Sequence, residues 1–377
     1  MAPSFDVVCL GESMVTFVPS VPGPLADVPA FHRAIGGAES NVACTLARAG
    51  HRTRWISRVG GDGFGDHLIA EVAACGVDVS AVRRDPRRPT GVYFRTAGDR
   101  DADGPGRAEV VYYRRGSAAS ALSPALVRRH EAWSGRVLHL TGITAALSAT
   151  CRDLMRRLTH HEPGRPLVSF DVNHRPALWR DADPRLLADL ARGCDVVFVG
   201  EDEAAAAWGL PDADAVRAAL PEPDLLVVKQ GAAGATVFHG TGRLHVPAPS
   251  VEVVAHVGAG DAFAAGFLSA TLRERPLAER LRHGHLMAAA ALTVPGDLAV
   301  PPTRAHADVL CALDDAAWGR LRLGPGWTDG AEERGGHRED GGRGEQGERG
   351  GGAGHGARDG HDGHGEEAGH TRREVRT

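Results

Sequence analysis

Ala255-His256-Val257-Gly258-Ala259-Gly260-Asp261-Ala262-Phe263-Ala264-Ala265-Gly266-Phe267 passes from three small residues, through an acid, into a small and apolar run that predicts a helix. Gly258, Ala259 and Gly260 carry almost no side chain, so an anionic group can approach their backbone closely. N–H groups at a helix N-terminus are unpaired donors at the positive end of the dipole, which favours phosphate. Asp261 falls in the first turn, beside that anion site. An acid there can take a proton from a hydroxyl while the amides hold phosphoryl charge, the layout that phosphoryl transfer to an alcohol requires. A glycine turn followed by an acid is also an ordinary capped helix start. The rest of the chain decides between the two.

Outward from this stretch, strand-like and helix-like segments alternate. Val137-Leu138-His139-Leu140-Thr141 precedes a helix around 149–158, and Leu167-Val168-Ser169-Phe170-Asp171 precedes one near 185–192. Asp195 to Val199 precedes a helix over 202–208, and Asp224 to Lys229 ends at Gly231. Continuous apolar runs separated by helices predict an α/β fold, a mostly parallel central sheet with helices on both faces. Ligands in such sheets bind at the carboxyl ends of the strands. Asp171, Asn173, Arg175, Glu203 and Lys229 all follow strands at that edge, and the shared placement outweighs any one of them.

Nearer the N-terminus, Asp6 to Gly11 reads as a buried strand that delivers Glu12 to a site edge. Ile35-Gly36-Gly37-Ala38-Glu39-Ser40-Asn41 leads into a helix closed by Gly50; the two glycines let a ligand lie against the backbone, and Asn41 can bond hydroxyls. Arg54 to Gly60 reads as the next strand and 63–75 as the next helix. From Thr90 to Arg115 the pattern changes to two strands around a polar loop, Gly98 to Gly106, without a following helix. That hairpin does not belong in a parallel core and reads as part of a small β-sheet lid, its strands within about 12–35 and 90–116, bearing Tyr93, Tyr112 and Arg114.

Helices over 261–273 and 277–294 complete a domain of residues 1–323. From Gly324 to Thr377, Gly, Glu, Arg, Asp and His dominate and almost nothing apolar remains to bury, which predicts a disordered tail. The 377 residues carry a net charge of -5, so nucleic acid is not an expected partner. The six cysteines are scattered without a metal-ligand spacing, as in a reducing compartment. There is no basic-then-apolar leader and no apolar run of about 18 residues, so the expectation is a cytoplasmic protein with no membrane partner.

Four motifs in one order give the chain its resemblance to the ribokinase-like (PfkB-type) carbohydrate kinases over roughly 5–310. They are Gly36-Gly37-Ala38-Glu39-Ser40-Asn41-Val42-Ala43, Val59-Gly60-Gly61-Asp62-Gly63-Phe64-Gly65, Lys229-Gln230-Gly231-Ala232-Ala233-Gly234-Ala235 and Gly258-Ala259-Gly260-Asp261-Ala262-Phe263. Within the family the chain looks most like 2-keto-3-deoxygluconate kinases, through Gly11 to Val15, Tyr112-Tyr113-Arg114 and Asp171-Val172-Asn173-His174-Arg175-Pro176. The resemblance implies ATP-dependent phosphorylation of a sugar acid. It makes Asp261 the catalytic base, Gly258, Ala259 and Gly260 the anion hole, and Gly37, Tyr93, Tyr112, Arg114 and Arg175 substrate contacts, beside Gly36, Asn41 and Asn173. Lys229, Gly231, Gly234 and the segment near 290–296 match the nucleotide side. Mg²⁺ would bridge the phosphates, with Glu203 holding it through water.

The chain departs from the family in two places. Ala255 stands where an Asp usually helps bind a monovalent cation, so potassium activation is not implied. Gly200 replaces the Asn of the usual Asn-x-x-Glu before Glu203. Two further functions stay open: a kinase of a neutral sugar such as fructose, and a catalytically retired sugar-binding module. The lid also implies, by resemblance, a homodimer.

Overall fold

The computed structural model describes residues 3–96, 109–180 and 182–329; the Gly98 to Gly106 loop and the tail from 330 onward lie outside the described residues. In chain order the strands are β1 Phe5–Leu10, β2 Met14–Pro19, β3 Phe31–Gly36, β4 Thr53–Ile56, β5 Arg58–Gly60, β6 Arg83–Asp85, β7 Val92–Arg95 and β8 Val110–Tyr113. They continue with β9 Gly135–Thr141, β10 Leu167–Asp171, β11 Val196–Gly200, β12 Leu225–Lys229, β13 Ala235–His239, β14 Gly242–Val246, β15 Ser250–Val251 and β16 Arg322–Leu323.

Eight strands form the main sheet in the order β14-β13-β12-β11-β10-β9-β1-β4. From β4 to β12 every pairing is parallel; β13 and β14 add an antiparallel edge. The central strands are apolar on both faces because both are covered. Val7, Cys9, Val137, Phe198 and Val227 pack toward the helices Ala38–Arg48, Ala259–Leu272 and Leu277–Leu292, while Val8, Leu10, Leu138, Phe170 and Val197 pack toward Ala149–Thr159 and Arg185–Arg192. Successive residues of a strand point to opposite faces, so one apolar run serves two cores.

The helix carrying Asp261 is fixed to the sheet through aromatic contacts: Phe198 meets Phe263 and Phe267 edge-on, with centroids 6.4 and 5.4 Å apart. Its other neighbour is Leu277–Leu292, and Gly266 permits their close approach, since a Cβ there would overlap the His283 carbonyl. This accounts for the last glycine of the opening stretch.

The small sheet has the order β3-β2-β7-β8, with β2 parallel to β7 and the other pairs antiparallel. Thr16, Tyr93 and Tyr112 lie side by side across it. The sequence placed one strand over Arg54 to Gly60; the chain instead breaks at Ser57, β4 joining the main sheet and β5 pairing with β6. Ser57 is buried and its carbonyl accepts from the Arg83 amide at 2.9 Å, which turns the chain onto its new partner. At the other end packing continues past Leu323: Trp327 is 6% exposed and joins the core on the Phe263 side. Among the described residues no helix is long and apolar enough to cross a membrane.

Candidate active site

The parallel strands deliver their polar residues to one edge, as the topology requires. Glu12 lies just beyond β1, Asp171 ends β10, Glu203 sits in the first turn of the helix after β11, and Lys229 ends β12. Glu12, Glu203 and Lys229, together with Tyr93 and Tyr112 of the small sheet and Arg114 just after it, line a cavity of about 320 Å³. Gly36, Gly37, Asn41, Asn173, Arg175, Gly258, Ala259, Gly260 and Asp261 complete its wall, so the site residues read from the sequence converge there with two exceptions. Gly231 and Gly234 are absent from the lining. They form the turn after β12 at φ +57 and +124, and a Cβ on Gly234 would overlap the Val246 carbonyl. A second, larger groove beside Ala149–Thr159 contains arginines that pair with aspartates of their own helices, Arg156 with Asp153 and Arg192 with Asp189.

Gly258 caps the helix Ala259–Leu272 at φ +73, a left-handed conformation that favours glycine. The Gly258 Cα also lies against the Asp297 backbone, where a Cβ would overlap the carbonyl oxygen. Asp261, the third helical residue, faces the cavity. Asn41 Nδ2 donates to its Oδ2 at 2.9 Å and Asn173 Nδ2 approaches Oδ1 at 3.4 Å. Burial pushes the Asp261 carboxyl up to about 6; the Asn41 hydrogen bond restrains the rise and the nearby Asp171 charge adds to it. A carboxyl with that pKa is largely ionised at pH 7 yet still basic enough to accept a proton. Asn173 is held at φ +41, unusual for a non-glycine residue, and Asn41 and Asn173 each have a buried Oδ1 with no partner among the described residues. Such atoms are acceptors available to a hydroxyl-bearing ligand.

Opposite Asp261, Lys229 Nζ bonds both Asp171 oxygens, at 2.8 and 3.1 Å, and a Cβ on Gly260 would stand 3.5 Å from that ammonium. Burial works against the charged amine, but Asp171 and Glu203 outweigh it and raise its pKa, so a positive charge stands next to the glycine turn. Arg175 Nη1 donates to Glu203 Oε1 at 3.1 Å, while Glu203 Oε2 accepts the Gly200 N–H at 2.9 Å. The Glu203 carboxylate is thus oriented by backbone at the position where the sequence lacks the usual Asn.

Arg114 is pinned by Glu12, whose other oxygen accepts from Ser117 Oγ at 2.5 Å. Both charged side chains are nearly buried. Tyr93 and Tyr112 stack at a tilt, centroids 5.4 Å apart, and the Tyr93 hydroxyl donates to Asp297 Oδ2 at 2.8 Å. Burial, then the Asp297 charge, raise the Tyr93 pKa, which keeps its proton in place. Beneath the site, Glu39 accepts from Thr141 and Thr144 at 2.7 and 2.6 Å and ties the start of the Asn41 helix to the end of β9. Its burial pushes its carboxyl up to about 7.

Sequence reasoning assigned no role to Glu39 or Asp297. Asp297 is a lone charge in the apolar run from Thr293 to Val300, after a helix that resembles the nucleotide side, and that contrast is the one signal it offered.

The chain matches the model of the pfkB family carbohydrate kinases over residues 4–304. It is 36% identical over 307 residues to the 2-dehydro-3-deoxygluconokinase of Bacillus subtilis (strain 168), covering 79% of this chain and 93% of the relative. The 2-dehydro-3-deoxygluconokinase of Thermoproteus tenax is also 36% identical, over 315 residues, 82% of this chain and 95% of the relative. A probable fructokinase-7 of Arabidopsis thaliana is 31% identical, covering 78% and 88% of the two chains. A solved PfkB protein from Polaromonas sp. JS666 superimposes with a TM-score of 0.70 at 36% identity, over 81% of this chain and 99% of that one. The motifs, the fold and these similarities agree: the chain belongs to the pfkB family of carbohydrate kinases and is a sugar kinase.

Proposed function

We propose that this sugar kinase transfers the γ-phosphoryl group of ATP to a hydroxyl of a sugar acid, 2-dehydro-3-deoxygluconate (2-keto-3-deoxygluconate) being the acceptor that fits best. The observation that carries the reading is the presence of two arginines, Arg114 and Arg175, in the same cavity as the Asp261 carboxylate. A guanidinium is the side chain best shaped to receive a carboxylate, through paired hydrogen bonds. Arg114 has its orientation fixed by Glu12 before any ligand arrives, and its buried Nε has no partner among the described residues. The 2-dehydro-3-deoxygluconokinases of 36% identity, against 31% for the fructokinase, favour the same acceptor.

In this reading Asn41 and Asn173 orient both the Asp261 carboxylate and the acceptor hydroxyl. Asp261 removes the hydroxyl proton as the oxygen attacks the γ-phosphorus and the bond to the ADP oxygen breaks. The N–H groups of the 258–260 turn and the Lys229 ammonium stabilise charge on the transferring group, the electrostatic work that dominates such transfers. Gly36 and Gly37 allow the sugar to approach the backbone, and Tyr93 and Tyr112 form its wall. Gly231 and Gly234 shape the turn on the nucleotide side. Glu203 suits a Mg²⁺ ion held through water. With one protein hydrogen bond on each oxygen, about two of the four lone-pair sites of a carboxylate stay available. Such an ion neutralises phosphate charge and needs few protein ligands. Ala255 supplies no carboxylate, so no monovalent cation is part of the proposal. Free thiols at all six cysteines fit a cytoplasmic enzyme, and the exposed aromatic side chains Tyr112 and Tyr113 on β8 fit pairing of two chains through the lid.

Arg114→Lys tests the acceptor. The ammonium still neutralises Glu12 but loses the planar fork, so kcat/KM for the sugar acid should fall about tenfold or more, the scale of one charge-assisted hydrogen bond. Fructose phosphorylation should change much less, because fructose carries no carboxylate for the guanidinium fork to receive. Equal losses on both acceptors would remove the carboxylate role of Arg114.

A further inference from the structure

Asp297 touches two parts of the molecule that the chemistry must bring together. Its backbone carbonyl lies against the Cα of Gly258, the first residue of the glycine turn. Its side chain, 4% exposed, reaches the small sheet: Oδ2 accepts from the Tyr93 hydroxyl at 2.8 Å and Oδ1 stands 3.2 Å from Arg95 Nη2. The same Arg95 nitrogen approaches the Pro295 carbonyl at 3.4 Å. Tyr93 and Arg95 are two apart on β7 and so share one face of that sheet. Gly36 leaves the room required, since a Cβ there would overlap both the Tyr93 hydroxyl and Asp297 Oδ2. Arg95 is 7% exposed and is not part of the cavity lining.

We propose that the Arg95–Asp297 ion pair is a positioning device that makes sugar binding at the lid and phosphoryl binding at the glycine turn cooperative. The proposal rests on the reading that residues 258–260 receive the phosphoryl group. Charge arriving at those amides fixes Gly258, and Gly258 lies so close to the Asp297 carbonyl that a Cβ would not fit between them. Asp297 in turn holds Tyr93 and Arg95, so the sugar wall and the anion hole are set as one unit. A buried ion pair contributes little net stability, but losing one partner leaves an uncompensated charge. The pair therefore has a role in fixing geometry that a pair of apolar residues would not supply. Arg95 acts through Asp297 and Tyr93 and touches neither substrate.

The test is the ratio of sugar dissociation constants without and with saturating β,γ-imido-ATP and Mg²⁺, measured by calorimetry on the full chain. The sugar is whichever of 2-dehydro-3-deoxygluconate and fructose the wild type phosphorylates. Cooperative sites of this kind couple by about 5- to 150-fold. Wild type should show a ratio in that range, and Arg95→Met should bring it close to one. Asp297→Asn should do the same while keeping an acceptor for the Tyr93 hydroxyl, and it serves as the second variant if Arg95→Met fails to fold. The double variant should lose no more than either single one, because both remove one interaction. A wild-type ratio near one, an unchanged ratio in a folded variant, or additive losses would overturn the proposal. A preference for fructose would overturn the sugar-acid reading and leave this ratio measurable.

Discussion

Asp261→Asn should lower kcat by about 10²- to 10⁴-fold, the range that a positioned general base supplies. ATP affinity should hold, because the glycine-turn amides and Lys229 remain. The amide nearly matches the carboxylate in shape and can still accept from Asn41 through its oxygen, so the loss reports basicity and not collapse of the site. The pH dependence carries the same signature. Burial raises the Asp261 carboxyl to about 6, and only its ionised form can accept a proton. The wild-type kcat/KM should therefore climb as pH rises through about 6 and level off above it. The residual activity of Asp261→Asn should lack that limb. An unchanged limb in the variant would assign the titration to another group.

Gly258→Ala is expected to do comparable damage by a different route. At φ +73 an alanine is strained by about 1–2 kcal/mol. The added Cβ also meets the Asp297 carbonyl, a backbone atom that cannot swing aside. The turn must shift, and the amides proposed to receive the transferring phosphoryl shift with it. Loss of one such donor typically costs about 10²- to 10³-fold in kcat. Gly63→Ala is the control: it opens another helix, a Cβ there has nothing within 4 Å, and it should behave like wild type. Thermal melts of both variants separate strain from catalysis. If Gly258→Ala keeps full activity, the glycine turn is only a helix cap.

What the sequence revealed and what it hid follow from the range of the interactions. The parallel strands were legible because each is buried on both faces and reads as an unbroken apolar run, and the helix Arg185–Arg192 emerged with the bounds found in the structure. The stretch around Asp261 was legible for a local reason, since glycines, acid and helix start occupy neighbouring positions. The break at Ser57 was hidden, because the run Arg54 to Gly60 keeps its strand character while changing sheets. Trp327 was lost in a glycine-rich, charged neighbourhood although its ring is buried. The pairs Arg114–Glu12 and Tyr93–Asp297 were hidden more deeply. Their partners lie 102 and 204 residues apart, and no spacing along the chain announces a contact made by folding alone. Arg114 and Tyr93 were placed at the site by resemblance, but the partners that fix their orientation were visible only in three dimensions.

The most direct test of the account is coupled ADP release with ATP and Mg²⁺ across 2-keto-3-deoxygluconate, its galactonate epimer, fructose and ribose. The account predicts turnover with one or both sugar acids at a kcat/KM well above that for either neutral sugar. Preference for fructose would contradict the sugar-acid assignment while leaving Asp261 as the base. Sugar binding without turnover on any of the four would contradict the kinase mechanism itself.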